Sequence, residues 1–237
     1  MSSAKQQILG SLRRSLRRPE PSAEEKAVLE ARLHSPQRNL VPQRAQLPHA
    51  EQLDLMETML KELSATVVRL DGEAAVPAAV ADYLKGENLP PKVRMAPRDD
   101  LRRLPWEAQP LLEVEEGIAE AEDATSVTGA FAGIAETGTV MMASGPEAPV
   151  TLNFLPENHV VVLRASQVVG SYEDAFQRLR AVVGQGRMPR AVNMITGPSR
   201  TGDIEQTILL GAHGPRRLHV LLVDDTAGDT AADTAAG

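Results

Sequence analysis

Apolar residues recur along this chain with two different periods, and the alternation between them outlines an architecture. Leu53, Met56, Leu60 and Leu63 stand three, four and three residues apart, which predicts an amphipathic helix beginning at Glu51. "TVVRL" (66–70) follows as a strand, Val76, Val80, Tyr83 and Leu84 mark another helix, and "KVRMA" (92–96) reads as a second strand. Residues 97–117 are mixed and carry one short strand at "LLEVE". "TSVTGAFAGIAETGTVMMAS" (125–144) is rich in β-branched and small residues, with Gly129, Gly133 and Gly138 at its bends, and predicts two or three short strands. "HVVVL" (159–163) is a strand of the buried type. Tyr172, Ala175, Phe176, Leu179, Val182 and Val183 give the clearest helical stripe of the chain. "AVNMI" (191–195) and "RLHVLLVDD" (217–225) are two further apolar strands. Strands alternating with helices, several of them uninterrupted apolar runs, predict an α/β fold with a mainly parallel sheet flanked by helices.

The two ends depart from this pattern. Ile8, Leu12 and Leu16, with Leu9 beside them, share one face of an N-terminal helix whose 18 residues hold five Lys/Arg and no acid. That helix either packs on the main body or docks on a partner or an anionic membrane surface. "RPEPSAEE" breaks it, and residues 31–48, with Pro36, Pro42 and Pro48, read as an extended linker. The expected organisation is an N-terminal helix and linker over 1–48, an α/β domain over 49–225 and a disordered tail over 226–237, where "TAGDTAADTAAG" offers nothing to bury.

Composition narrows the chemistry. Aromatics make up 3% of the chain, so the core must come from Val, Leu, Ile, Met and Ala. A net charge of −7 without a basic stripe argues against general nucleic-acid binding. No run approaches the roughly 18 apolar residues of a transmembrane segment, and no secretory signal is read, so a cytoplasmic location is expected. There is no cysteine, hence no disulfide, no thiol nucleophile and no thiolate set for zinc or iron–sulfur clusters. His34, His49, His159, His213 and His219 are scattered without metal-ligand spacing, so no built-in metal site is expected.

The glycine-rich stretch "NMITGPSRTGDIEQTILLGAHGP" (193–215) holds the densest set of polar candidates. "AVNMI" supplies a strand, "TGPSRTG" the loop at its carboxyl end and "DIEQTILL" a following helix. Asp203 and Gln206 would form its capping box and Gly211 its stop. Ligands of parallel sheets bind outside the carboxyl ends of the strands. Ser199, Arg200, Thr201 and Gly202 would then converge on a small anion at a helix N-terminus, unless Arg200 merely covers the surface. Glu136, in "AGIAETGT", is a general base, a nucleophile or a partner for Arg200, or else a plain turn acid. His213, in "GAHGP", is a proton shuttle or a turn residue.

"AGIAETGTVMMAS" (132–144), "LPENHVVVL" (155–163), "ITGPSRTGDIEQTILLGAHGP" (195–215) and "LHVLLVDD" (218–225) resemble the lactate utilization protein C family, the LUD-domain proteins. The resemblance covers roughly residues 124–225. It implies a three-layer α/β fold related to the ribose-phosphate isomerase, glucosamine-phosphate deaminase and CoA-transferase group. It also implies a part in oxidising L-lactate to pyruvate beside iron–sulfur partner proteins, which suits a chain without cysteine. It supplies no cofactor and does not by itself make this chain a catalyst. Carried onto this sequence, the motif selects Glu136 and His213 as candidate catalytic groups. It selects Thr137, Gly138, Thr139, Gly197, Ser199, Arg200, Thr201, Asp203 and Glu205 as candidate ligand contacts. A stand-alone transferase acting on an anionic acyl or phosphorylated molecule is the alternative, with Glu136 as its nucleophile.

Overall fold

The computed structural model describes residues 3–34, 36–184, 186–204 and 207–225. The chain divides into two compact units, one of residues 1–39 with 184–187, the other of residues 40–183 with 188–237. In the first, α1 (Ala4–Ser15) opens on a capping box in which the Ser3 hydroxyl accepts from the Gln6 N–H and the Gln6 side chain accepts from the Ser3 N–H. Ser22 and Glu25 repeat the device at α2 (Ala23–His34). Helix therefore persists to His34 inside the stretch expected to be linker, because the three prolines all lie beyond that point. Neither helix buries a residue. The expected tail, 226–237, lies outside the described residues.

The second unit runs α3 (His49–Glu62), β1 (Thr66–Leu70), α4 (Val76–Gly86), β2 (Lys92–Met95), α5 (Asp99–Arg102), β3 (Glu113–Glu116), β4 (Thr125–Gly129), β5 (Ala132–Ile134) and β6 (Thr139–Ala143). It continues through β7 (Asn158–Arg164), β8 (Val168–Val169), α6 (Tyr172–Val183), β9 (Val192–Ile195), β10 (Arg200–Ile204), β11 (Thr207–Leu210) and β12 (Arg217–Val223). Six strands form one sheet in the order β1-β12-β7-β4-β2-β3, every neighbouring pair parallel. A smaller sheet, β8-β5-β6-β9, lies over part of it.

Side chains alternate across the parallel sheet and so build two cores. Val127, Val160, Val162, Leu221 and Val223 meet Val76, Val80 and Leu84 of α4 on one face. On the other, Val161, Leu163, Val220 and Leu222 meet Met56 and Leu60 of α3 and Val140 and Met142 of β6. The outer face of the small sheet, at Ile134 and Met141, is covered by Ala175 and Leu179 of α6. The result is the expected three-layer α/β arrangement, with the second covering layer shared between a helix and a small sheet.

Two expectations need correction. "AVNMI" is not a strand of the parallel sheet: β9 is the edge of the small sheet and pairs antiparallel with β6, Val140 opposite Ile195. "DIEQTILL" is not a helix: its described residues belong to β10 and β11, which pair antiparallel with Arg200 opposite Leu210 and Ile204 opposite Thr207. Eight residues make a marginal helix in water, and Ile204, Thr207 and Ile208 lose side-chain freedom in one but not in a strand. The capping role of Asp203 and the anion site at a helix N-terminus go with that helix. Gln206 and Glu205 lie outside the described residues.

Candidate functional site

The carboxyl end of the parallel sheet is filled. β2 and β4 are neighbours whose connections run to opposite sides, the point where parallel sheets usually open a crevice. Here Arg98, just past β2, lies across the end of β4 and donates to the Gly129 carbonyl at 3.3 Å. A Cβ on Gly129 would stand only 3.1 Å from Arg98 Nε. Asp100 binds Arg98 through both carboxylate oxygens at 2.9 and 2.8 Å. It also accepts from Arg164, the last residue of β7, at 2.8 Å, and Arg164 in turn holds Glu73 at 2.5 Å. Burial alone would raise the Asp100 pKa, but the two guanidiniums outweigh it and hold it at about 2. The space left there is about 10 Å³, too small for a ligand.

An open cleft of about 250 Å³ lies instead beside the amino-terminal ends of β7 and β12. Its walls are the loop after β9, with Thr196, Gly197, Ser199 and Arg200, and the chain after β11 at His213 and Gly214. Ser199 joins these walls: its N–H donates to the Pro215 carbonyl at 2.8 Å, and its hydroxyl accepts from the His213 N–H at 3.3 Å. The His213 side chain belongs to an exposed residue at the rim. Asn153 and His159 complete the lining and are 5% and 0% exposed. His159 bonds Thr128 Oγ1 through Nε2 at 2.7 Å, and desolvation brings its pKa down to about 3, so the ring is neutral.

The two signature motifs meet because β6 and β9 pair. Thr139, opening β6, bonds the Thr196 hydroxyl at 2.8 Å and the Tyr172 hydroxyl at 2.9 Å, and Thr137 joins the cluster through Thr139 at 2.8 Å. Gly138 and Gly197 have φ of +62° and +84°. A Cβ at Gly138 would come within 2.8 Å of backbone atoms of Met59 and Leu60, and one at Gly197 within 2.7 Å of the Leu63 carbonyl. The end of α3 thus rests on both turns, and Arg200 donates to that same Leu63 carbonyl, where a cation is favoured by the helix dipole.

The expected site residues therefore do not all come together. Gly197, Ser199, Arg200 and His213 line the cleft. Thr137, Gly138 and Thr139 support its wall from behind, through Thr196. Glu136 is buried at 5% exposure, accepts from the Tyr172 N–H at 3.0 Å and does not line the cleft. Thr201 and Asp203 lie in the backbone of β10, and Glu205 falls outside the described residues. Asn153 and His159 were not selected from the sequence. The available signal was a histidine placed among valines in "NHVVVL", which reads equally as core. Among the described residues no three His, Asp or Glu side chains gather as a metal site, and no helix is long and apolar enough to cross a membrane.

Comparison with known proteins places the chain. It is 41% identical over 96 residues to the uncharacterized protein NMB1437 of Neisseria meningitidis, covering 40% of each chain. It is 37% identical over 113 residues to lactate utilization protein C of Bacillus pumilus, covering 47% of each. With the Bacillus subtilis protein of that name it shares 32% over 122 residues, which is 51% of this chain and 50% of the relative. The chain thus spans no more than about half the length of the curated relatives it matches. A crystal structure of a DUF162 family protein from Deinococcus radiodurans superposes with a TM-score of 0.54 at 23% identity, over 75% of this chain and 99% of that one. That likeness agrees with the α/β fold. The LUD domain model matches residues 53–223, well over half of the chain, and this protein belongs to the LUD domain family.

Proposed function

We propose that this protein serves the use of lactate as a carbon source, as a subunit that supports oxidation of L-lactate to pyruvate together with iron–sulfur partner proteins. Family membership and the relatives named lactate utilization protein C support this reading. So does the composition: with no cysteine the chain cannot ligate a cluster in the usual way, so electrons leaving lactate pass to partners that can. The observation that carries the reading to a place in the fold is the 250 Å³ cleft, which gathers Ser199, Arg200 and His213 from the signature loop. Arg200 spends one donor on the Leu63 carbonyl and keeps others for a small carboxylate at the rim.

The stand-alone transferase has less support. Glu136, its nucleophile, is buried, hydrogen-bonded to the Tyr172 N–H and outside the cleft. The experiment is lactate-dependent dye reduction in extracts with and without this gene. Loss on deletion is expected, with restoration by the wild-type gene but not by Arg200→Ala, and with iron–sulfur proteins co-purifying on the tagged wild-type chain. Undiminished lactate oxidation in the clean deletion would overturn the assignment.

A further inference from the structure

The floor of the cleft carries hydrogen-bonding capacity that the protein itself leaves unused. His159 is fully buried, and its Nδ1 has no partner. Asn153, 5% exposed, lines the cleft beside it. A ring nitrogen this well buried is nearly always paired, because an unmet donor or acceptor forfeits its hydration without return. Both residues line the same space as Arg200, and both belong to the unit that holds the whole cleft.

The network fixes which proton His159 presents. The Thr128 hydroxyl has no other hydrogen bond among the described residues. With the ring proton on Nε2, Thr128 would be the acceptor, leaving both its own O–H and the Nδ1 lone pair unmet. With Thr128 donating to Nε2, a single group is left over, the Nδ1–H. The second arrangement strands fewer buried groups, and His159 is assigned that tautomer on this ground. His159 thus offers an uncharged N–H donor at the cleft floor, while the charged guanidinium sits at the rim.

Size limits what can use this arrangement. A water occupies about 30 Å³ in the liquid, so the cleft of about 250 Å³ suits a molecule of a handful of heavy atoms. We propose that the His159 Nδ1–H and the Asn153 amide form a subsite for the second oxygen of a short 2-oxo or 2-hydroxy carboxylate, whose carboxylate faces Arg200. This rests on the reading of the cleft as the ligand site and adds to it the contacts that discriminate among small acids.

The test compares ligands that differ only in that oxygen. Binding of pyruvate, L-lactate and propionate to the full-length protein is measured by calorimetry, alone and in Thr128→Val/His159→Phe, which replaces the hydrogen-bonded pair with apolar groups of similar shape. The wild-type protein is expected to prefer pyruvate or lactate over propionate by about tenfold or more, since a site built to bond an oxygen rejects the analogue lacking it. The double variant should bind all three alike while melting at or above the wild-type temperature, because an orphaned donor has gone. A histidine that served only the core would instead lower the melting temperature and leave the preference intact, which would overturn the inference. Should that variant fail to fold, Asn153→Leu, on the cleft wall, is expected to reduce the same preference, and an unchanged preference there counts equally against the subsite. Failure of the wild-type protein to bind any of the three would remove the ligand reading of the cleft as well, leaving a site for water alone.

Discussion

Two histidines buried neutral make this protein sensitive to mild acid. Desolvation brings His159 down to about 3 and His219 to about 4, against an ordinary value of 6.5. His219 lies under Tyr83, the rings 4.2 Å apart and 12° from parallel, and its Nδ1 bonds the Thr66 hydroxyl at 2.7 Å. Above pH 6.5 both rings are neutral in the folded and unfolded chain and contribute no pH dependence. As the pH falls through 6.5 the unfolded chain takes up protons that the folded chain refuses, so stability declines until the folded values are reached. At pH 5 each ring has lost about 1.5 pH units' worth of linkage, roughly 2 kcal/mol, and the pair about 4 kcal/mol. That is a large share of the roughly 5–15 kcal/mol that holds a domain folded. Asp100 acts in a separate window: its carboxylate, held at about 2, stabilises above the usual value of 3.8 and loses that contribution only below it. Urea unfolding followed by circular dichroism at pH 8, 7, 6 and 5 tests the argument. The extrapolated free energy should fall steadily below pH 6.5, and His219→Gln should remove about half of the slope. A stability that stays within about 1 kcal/mol from pH 8 to 5 would refute the claim that both rings are held neutral.

Two further changes probe the frame around the cleft. Gly138→Ala combines a left-handed φ of +62° with a Cβ 2.8 Å from the backbone of α3, and should destabilise by about 2–4 kcal/mol in a urea melt; a loss under about 0.5 kcal/mol would mean that α3 does not rest on that turn. Asp100→Asn leaves Arg98 and Arg164 facing each other without their shared carboxylate, and for this half-buried group should cost about 1–3 kcal/mol at pH 7 while reducing the loss of stability below pH 4. An unchanged acid limb in that variant would show that another carboxylate sets it.

How much of this could be read from the sequence depended on how far apart the interacting pieces lie. β7 and β12 were legible because each holds a run of apolar residues between breakers, which fits a sheet covered on both faces, and β1, β2 and β4 as short β-branched or alternating segments. The β10–β11 pairing is hidden in the sequence because Asp203, Gln206 and Gly211 imitate the start and stop of a helix, while the β-branched content of the segment favours strands. The register of β6 against β9 joins residues far apart in the chain, Val140 with Ile195 and Ala143 with Val192, and nothing local announces it. Without that pairing Thr139 and Thr196 cannot be placed together, nor can Gly138 and Gly197 be seen as the two rests for one helix end. Asn153 and His159 were beyond reach for a related reason: a polar residue shows whether it is satisfied only when its neighbours from other strands are in place.

The two ends of the parallel sheet differ in what they leave undone, and this bears on where function resides. At the carboxyl end Asp100 binds two arginines, one of which also binds Glu73, so the described charges satisfy one another and little space remains. A network so closed fixes the ends of β2, β4 and β7 and has nothing to gain from a ligand. At the amino end the buried His159 is neutral and incompletely paired, and it faces a space of molecular size with the charged Arg200 at its rim. Filling that space with a molecule that accepts from His159 would recover a hydrogen bond that folding alone forfeits, and such binding would stabilise the folded chain by an amount that grows with the logarithm of ligand concentration above Kd. The general expectation for parallel sheets, that ligands gather at the carboxyl ends of the strands, meets little open space between β2 and β4. The side chain of Arg98 occupies that crevice, and the loop after β9, lying across the opposite edge, supplies another.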